Sequence, residues 1–346
     1  MIAEQKLTSI LEQFSITGVT AIAPIASGII NNTYRVTTPD GQFILQRLGA
    51  IFTAATAVDS MRVAEHLVSQ QLPTPIYQMT PAGVPYVIDE ESRVWRVMSA
   101  IEGETFDTMP DASYAREAGR VLATFHQAMK DFDPAGLNSP LRLHQTANIL
   151  AAYRERLPAI LAFAESDAER ACYESIPALL ESYMIDPSLD VTVVHGDPKI
   201  SNVMFKDGKA ICMIDLDTCM RHSSLVDIGD ALRSWCMRSA EDAMDATFSL
   251  DVFREAIRGY VSVRPLPHTL QEAIAKSGVM ITLELAARFA NDIVDDSYFG
   301  WNNAKFASRR NHNRVRVQTL VAYAHDTITH LTEMQNILSD ESLVQQ

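Results

Sequence analysis

Apolar and polar residues alternate along much of the first hundred positions and fall into helical spacing beyond them. The stretch "MIAEQKLTSILEQF" sets Leu7, Ile10, Leu11 and Phe14 three or four apart with acids between, the pattern of an amphipathic helix. From about residue 19 the period shortens to two. "VTAIAPIA" and "TYRVTT" alternate, "TPDG" is a turn carrying Pro39 and Gly41, and "QFILQRL" alternates again. Proline fixes φ and glycine frees it, so Thr33–Leu48 reads as a hairpin. A helix is predicted over Thr56–Gln70, and "VPYVIDEESRVWRVMSA" reads as a strand pair around the polar turn Asp89–Ser92.

After "EGETFDTMPD" the character changes. Ala112–Met129 places Ala115, Ala118, Val121, Leu122, Phe125 and Met129 on one helical side. Helical patterns then dominate to the polar end "SDESLVQQ", which is expected to fray. One segment, Val193–Thr218, breaks them with short strand-like runs. The predicted fold class is α+β: a small β-rich lobe over 1–100, joined near Met98–Thr105 to a large, mainly helical lobe over 101–346.

Composition narrows the function. A chain of 346 residues that is 47% hydrophobic can bury a core in each lobe. No apolar run reaches the length of a membrane span, and the N-terminus lacks the basic start and apolar core of a signal peptide. A cytoplasmic protein is expected. Cys172, Cys212, Cys219 and Cys236 form no CxxC pair and are expected as scattered reduced thiols. The net charge of −14 argues against nucleic acid or an anionic membrane as partner. The one basic cluster, "RRNHNRVR" (Arg309–Arg316), is read as a solvated helix face.

The densest chemistry lies in "VVHGDPKISNVMFKDGKAICMIDLDT". Asp197 is followed by Lys199 and Asn202, then by a strand, a "KDG" turn, a second strand and Asp215. Two strands around a tight turn return to one end, which brings Asn202 and Asp215 together. Amide and carboxylate oxygens suit Mg²⁺, which keeps room for substrate phosphates. Asp197 would face a substrate hydroxyl and Lys199 a phosphate. These are the parts of phosphoryl transfer. A polar surface turn is the alternative, but the joint spacing HxDxKxxN…IDxD is far more specific than any one of its residues.

The segment "HGDPKISN…MIDLDT" resembles the catalytic region of the aminoglycoside phosphotransferase and choline kinase-like superfamily, whose fold is protein-kinase-like and two-lobed. The resemblance implies ATP and Mg²⁺ as cofactors, Asp197 as catalytic base, and Asn202 and Asp215 as metal ligands, with Asp217 assisting. It implies structural roles for His195 and, through "LVDIGD", for Asp227. The pieces "GIINNTYRVTTPDGQFILQRL", "VWRVMSAIEGET", "ITLELAARFANDIVDDSYF" and "HNRVRVQTL" are similar to the bacterial N-acetylhexosamine 1-kinases.

Two departures from the superfamily stand out. Gln46 occupies the third-strand position where many relatives carry Lys or Arg. Arg47 points to the opposite face and cannot substitute without a bulge. Glu65 stands where the helix partner of that cation would be. The first loop has Gly28 as its only glycine. Asn31, Asn32 and Thr33 either supply phosphate contacts in its place or form a hairpin tip with no such role.

Two further sites are predicted. Adenine is expected against Met98–Ile101, where the chain leaves a strand, with Trp95 either part of that surface or plain core. In "TLELAARFANDIVDDSYF" the charges of Glu284, Arg288 and Asp292 recur every four residues among apolar neighbours. That narrow stripe, with Tyr298 beyond it, is read as the binding site of a sugar acceptor; an exposed charge ladder is the alternative. The leading function is a sugar kinase, with the anomeric hydroxyl of an N-acetylhexosamine as a candidate acceptor. Kinases of an amino alcohol or aminoglycoside, a pseudokinase and a metal-dependent hydrolase are its competitors.

Overall fold

A computed structural model of the chain describes residues 2–25, 30–138 and 143–340. Gly28 of the first loop and residues 341–346 of the polar end lie outside them. The chain divides into two compact units. The first comprises Met1–Gly103, Asp131–Arg142 and Ile214–Cys219, and the second holds Glu104–Lys130, Leu143–Met213 and Met220–Gln346. The sequence boundary at residue 100 thus falls near the end of the first segment, but two short later segments also belong with the first unit. Long-range contacts draw them in: the Asn138 amide donates to Asp59 Oδ2 at 2.7 Å, and Asp217 pairs with Arg96.

The first unit contains α1 (Glu4–Gln13), β1 (Ala21–Ile25), β2 (Asn32–Thr38), β3 (Gly41–Arg47), α2 (Ala54–Ser69), β4 (Val87–Ile88) and β5 (Val94–Ser99). Its antiparallel sheet runs β1-β2-β3-β5-β4. The apolar stripe of α1 packs with Val36, Leu45, Trp95 and Val97 in one core, as the alternation of the strands requires. Thr53 and Thr56 close a capping box at the start of α2. The register sets Thr33 opposite Gln46 and Gln46 opposite Arg96. Period-two alternation therefore lines these three polar side chains along one face of the sheet.

The second unit contains α3 (Ala112–Ala128), α4 (Thr146–Leu161), α5 (Asp167–Tyr183), β6 (Val191–Val194), β7 (Val203–Lys206), β8 (Lys209–Met213), β9 (Met220–Ser223), α6 (Ser224–Trp235), α7 (Leu250–Val261), α8 (Gln271–Asp295), α9 (Arg309–Thr329) and α10 (Leu331–Leu338). β6 pairs with β9 and β7 with β8, both antiparallel. α3 and α7 cross closely enough that a Cβ on Gly119 would meet the Ala256 carbonyl oxygen at 2.1 Å, so only glycine fits. None of the four cysteines is in a disulfide. Among the described residues no helix is long and apolar enough to cross a membrane.

Candidate active site

The second unit holds the loop from His195 to Asn202. Its scaffold is Asp227 on α6, fully buried, which accepts the backbone N–H of His195 at 2.6 Å and of Gly196 at 2.7 Å. His126 on α3 joins Asp227 Oδ2 through Nε2 at 2.9 Å and Tyr260 Oη through Nδ1 at 2.7 Å. Burial opposes the charge on Asp227, but these hydrogen bonds and His126 hold its carboxyl below the ordinary range. Gly196 has φ of +83°, a left-handed turn that glycine adopts without a side-chain clash. From α6, Trp235 Nε1 donates to the Pro198 carbonyl at 3.0 Å and Ser234 Oγ accepts the Ile200 N–H at 3.0 Å.

On this frame the three polar side chains of the motif meet. Lys199 Nζ donates to Asp197 Oδ2 at 2.5 Å, and Asn202 Nδ2 donates to Asp197 Oδ2 at 3.1 Å and to its carbonyl at 2.8 Å. Asp197 is half-buried. Burial works against its charge, but Lys199, His195 and Arg233 outweigh it and keep the carboxyl below the ordinary range. Asp197 is therefore an ionised acceptor at neutral pH. Both of these side-chain bonds fall on Oδ2. His195 is buried and its Nδ1 accepts the Asp197 N–H at 3.3 Å. Val203 pairs with Met213 across the β7–β8 hairpin; Asn202 and Asp215 flank that pair in sequence by one and two residues.

Asp215 belongs to the first unit, in a left-handed conformation (φ +65°, ψ +61°) immediately before a single 3₁₀ turn, Leu216–Thr218. A non-glycine residue held there is uncommon and clusters at functional sites. Asp217, predicted to assist with the metal, is otherwise engaged. Its Oδ2 accepts Arg96 Nη2 at 3.0 Å and Asn31 Nδ2 at 3.2 Å, and its Oδ1 accepts Ser60 Oγ at 3.0 Å and Arg96 Nη1. With both oxygens occupied and the side chain 1% exposed, Asp217 is an anchor and not an open metal ligand.

The expected nucleotide contacts divide in the same way. Asn31 is a cross-link, accepting the Gly49 N–H at 2.9 Å as well as binding Asp217. Asn32 is exposed, and Thr33 Oγ1 accepts from Gln46 Nε2 at 3.2 Å. Gln46 Oε1 accepts Arg96 Nε at 2.9 Å and Nη2 at 2.6 Å. Arg47 lies on the other face, paired with Glu91. Glu65 is exposed on α2, so it does not take the helix-partner position; the α2 residue turned to the Arg96 cluster is Ser60. Met98 is buried on β5, Ile101 is half-buried, and Trp95 is core, its Nε1 donating to Asp89 Oδ2 at 2.8 Å.

The stripe on α8 separates into struts and one available pair. Glu284 is 1% exposed and accepts from Thr146 Oγ1 at 2.6 Å and His144 Nδ1 at 3.0 Å. His144 Nε2 lies 3.0 Å from the Gly196 carbonyl. Burial opposes protonation of His144, yet the Glu284 charge raises its pKa to about 9, so the imidazolium donates at both ends. Asp292 is also buried and accepts the N–H groups of Ser297, Tyr298 and Phe299 at 3.0, 2.8 and 3.0 Å. Neither carboxylate is open to a ligand as the stripe predicted. Arg288 is half-buried, with its guanidinium 5.8 Å from the Tyr298 ring and 5.5 Å from the Phe299 ring, and Tyr298 is 38% exposed. The basic cluster is not a solvated face either. Arg309 Nε donates to the Phe299 carbonyl at 2.6 Å and Arg316 Nη1 to the Gly300 carbonyl at 2.9 Å, fixing the segment that carries Tyr298.

Sequence reasoning passed over Arg96, Ser60, His126, His144 and Arg233. Arg96 left a signal, a lone charge inside the apolar run "VWRVMS"; His144 left none. Asn202 lies in the second unit and Asp215 in the first, and each carries an oxygen of the hard type that Mg²⁺ prefers. No group of three or more His, Cys, Asp or Glu side chains among the described residues is arranged to hold a metal.

Residues 21–266 match the family model described as the phosphotransferase enzyme family, APH. The chain is 24% identical over 273 residues to a homoserine kinase of Acidiphilium cryptum, spanning 79% of this chain and 81% of that protein. It is 27% identical over 286 residues to a homoserine kinase of Phenylobacterium zucineum, spanning 79% and 80%. The solved structure of a microcompartment-associated aminopropanol kinase superposes with a TM-score of 0.70 at 16% identity, covering 97% of this chain and 100% of that one. An amicoumacin kinase in complex with AMP-PNP, Ca²⁺ and Ami gives 0.63 at 11% identity, covering 99% and 94%. The fold is thus the two-lobed, protein-kinase-like fold. These relatives are named as kinases of homoserine and not of a hexosamine. A family match over well more than half of the chain replaces the hydrolase reading: this protein belongs to the phosphotransferase enzyme family and is an enzyme that phosphorylates an alcohol group.

Proposed function

We propose that the chain is an ATP- and Mg²⁺-dependent kinase transferring the γ-phosphoryl group to a hydroxyl of a sugar, with the anomeric hydroxyl of an N-acetylhexosamine as first candidate. One observation carries the acceptor assignment. Glu284 is tied through His144 to the carbonyl of Gly196, next to Asp197. Arg288 follows Glu284 by four residues on α8, about one 5.4 Å helical turn away. The guanidinium beside the exposed Tyr298 ring therefore sits about one helical turn from the residue that is tied to the Asp197 loop of the same unit. A guanidinium donates to several hydroxyl or carbonyl oxygens at fixed geometry, and an aromatic ring offers an apolar face. A sugar with an N-acetyl group presents both counterparts.

Asp197 accepts the acceptor's hydroxyl through Oδ1. Its low pKa makes it a weak base, which suits a loose transition state in which the proton leaves late. Lys199 neutralises charge beside it. Asn202 and Asp215 would hold Mg²⁺, whose charge offsets that of the phosphates. Adenine is assigned to the Met98–Ile101 connection, where backbone amides leave β5.

A second reading follows from the homoserine kinase relatives, since Arg288 would equally pair with an α-carboxylate. A purely cationic acceptor fits less well, because the available group of the stripe is itself a cation. The test is ADP release against N-acetylhexosamines, plain hexoses, homoserine and amino alcohols, with phosphorus NMR of the product. An anomeric phosphate is expected. A homoserine phosphate would move the assignment to the second reading, and nucleotide binding without turnover would overturn both.

A further inference from the structure

The first unit contains an ion pair that no phosphotransferase role so far described accounts for. Arg96 on β5 is 1% exposed, and each of its five N–H groups is engaged. Nε and Nη2 reach Gln46 Oε1 at 2.9 and 2.6 Å. Nη2 also reaches Asp217 Oδ2 at 3.0 Å, and Nη1 reaches Asp217 Oδ1 and, at 3.4 Å, Ser60 Oγ. The face of Tyr77 lies 5.6 Å from the guanidinium carbon. One side chain thereby joins β3, β5, α2 and the 3₁₀ turn that follows Asp215. A guanidinium can grip a carboxylate with two parallel bonds, which fixes orientation as well as distance.

We propose that Arg96 is a positioning residue: by its two-pronged hold on Asp217 it fixes the turn that presents Asp215, which leaves Asp215 as that turn's metal-facing carboxylate. The proposal rests on the ATP- and Mg²⁺-dependent kinase reading. It departs from the strand cation inferred by resemblance, because Gln46 carries no charge and the cation comes from the neighbouring strand. All five donors are spent inside the unit, so Arg96 acts through Asp217 and not on a phosphate. Residues that orient a metal ligand from behind commonly change metal affinity by about 10- to 100-fold when removed.

The experiment measures ATP affinity by calorimetry, with and without Mg²⁺, in the full chain. Arg96→Met leaves Asp217 buried and uncompensated and risks the fold. The double variant Arg96→Met/Asp217→Leu is therefore the main test, because a buried ion pair replaced by apolar residues of similar volume often keeps stability. The thermal transition of the double variant is expected close to that of the wild type. Its gain in ATP affinity on adding Mg²⁺ is expected to fall by about 10- to 100-fold, with Mg²⁺-free affinity within about threefold. Arg96→Lys, which keeps the charge but cannot make two parallel bonds, should recover only part of the Mg²⁺-dependent gain. A folded double variant with the full wild-type gain would overturn the proposal and leave the kinase reading standing. Stronger Mg²⁺ binding in Arg96→Met would also overturn it, since Asp217 would then be a metal ligand released from its partner. A wild-type chain without any Mg²⁺-dependent nucleotide binding would remove the kinase reading and the proposal together.

Discussion

Two aspartate–cation pairs, one in each unit, make opposite use of the same chemistry. Lys199 and Asp197 are 40% and 28% exposed, and their contact is a single donor on one carboxylate oxygen. Arg96 and Asp217 are each 1% exposed, and both carboxylate oxygens are filled. A half-exposed lysine pair held by one bond is worth little by itself, about 0–1 kcal/mol, and so can exchange partners when a substrate arrives. A buried, fully bonded arginine pair cannot move without leaving a charge unpaired, a loss of about 3–5 kcal/mol. The first arrangement suits reacting groups, and the second suits a fixed frame.

The sharpest way to break this division is Asp197→Asn. The amide keeps the shape and loses the charge that orients the acceptor hydroxyl. A fall in kcat of about 10²–10⁴ is expected, with the thermal transition and nucleotide affinity nearly unchanged. Retention of more than roughly a tenth of kcat would take Asp197 out of that role.

The next prediction concerns His144 and Glu284, a second buried pair. Glu284→Ala strands the imidazolium and is expected to cost about 3–5 kcal/mol, read by denaturant unfolding. His144 also faces the Asp230 charge and the His222 ring, whose own pKa is pushed below the ordinary 6.5 by burial and by the His144 charge. The His144 pKa rises from the ordinary 6.5 to about 9 on folding. The stability this contributes is complete below pH 6.5 and is lost as the pH rises through about 9, since the folded state binds the extra proton. The melting temperature should therefore decline from pH 6.5 to 9 more steeply in the wild type than in His144→Gln. Parallel profiles would show that the pair does not titrate as proposed.

What the sequence disclosed follows from how far apart the partners are. Asp197, Lys199 and Asn202 meet within five residues, so the spacing itself announced their contact. The hairpin of β2 and β3 and the helix α3 were legible for the same reason, through periods of two and 3.6. Arg96 and Asp217 lie 121 residues apart, and His144 and Glu284 lie 140 apart, with no local pattern to announce either. The α8 stripe shows the limit clearly. Its narrowness reads as a binding site, but periodicity cannot distinguish a ligand from another part of the chain as the partner of its charges. Glu284 and Asp292 found partners in the chain, and Arg288 kept the open side.

Arg288→Ala tests that open side. Loss of a charge-assisted hydrogen bond is worth about 1.5–3 kcal/mol, or about 10- to 100-fold in kcat/KM for the acceptor. The KM for ATP should stay within about twofold, because Arg288 belongs to the second unit and touches Tyr298 and Phe299. Equal losses toward ATP and acceptor would point to a general disturbance of α8.

The smallest effect is expected at Glu65, and it separates two frames for the nucleotide unit. In the superfamily pattern that this chain resembles, a helix glutamate pairs with a strand lysine or arginine and aligns the phosphates. Here the strand position is Gln46, whose carbonyl oxygen is held by Arg96, and Glu65 is exposed on α2. The α2 side chain that meets the cluster is instead Ser60, on an earlier turn of the same helix, through its bond to Asp217. Glu65→Ala should therefore leave kcat, the KM for ATP and the Mg²⁺ requirement within about twofold, and stability within about 0.5 kcal/mol, the ordinary range for surface substitutions. A large rise in the ATP KM would mean that Glu65 finds a cation when nucleotide binds, and the frame built on Arg96 would then lose its claim to have replaced the usual pair.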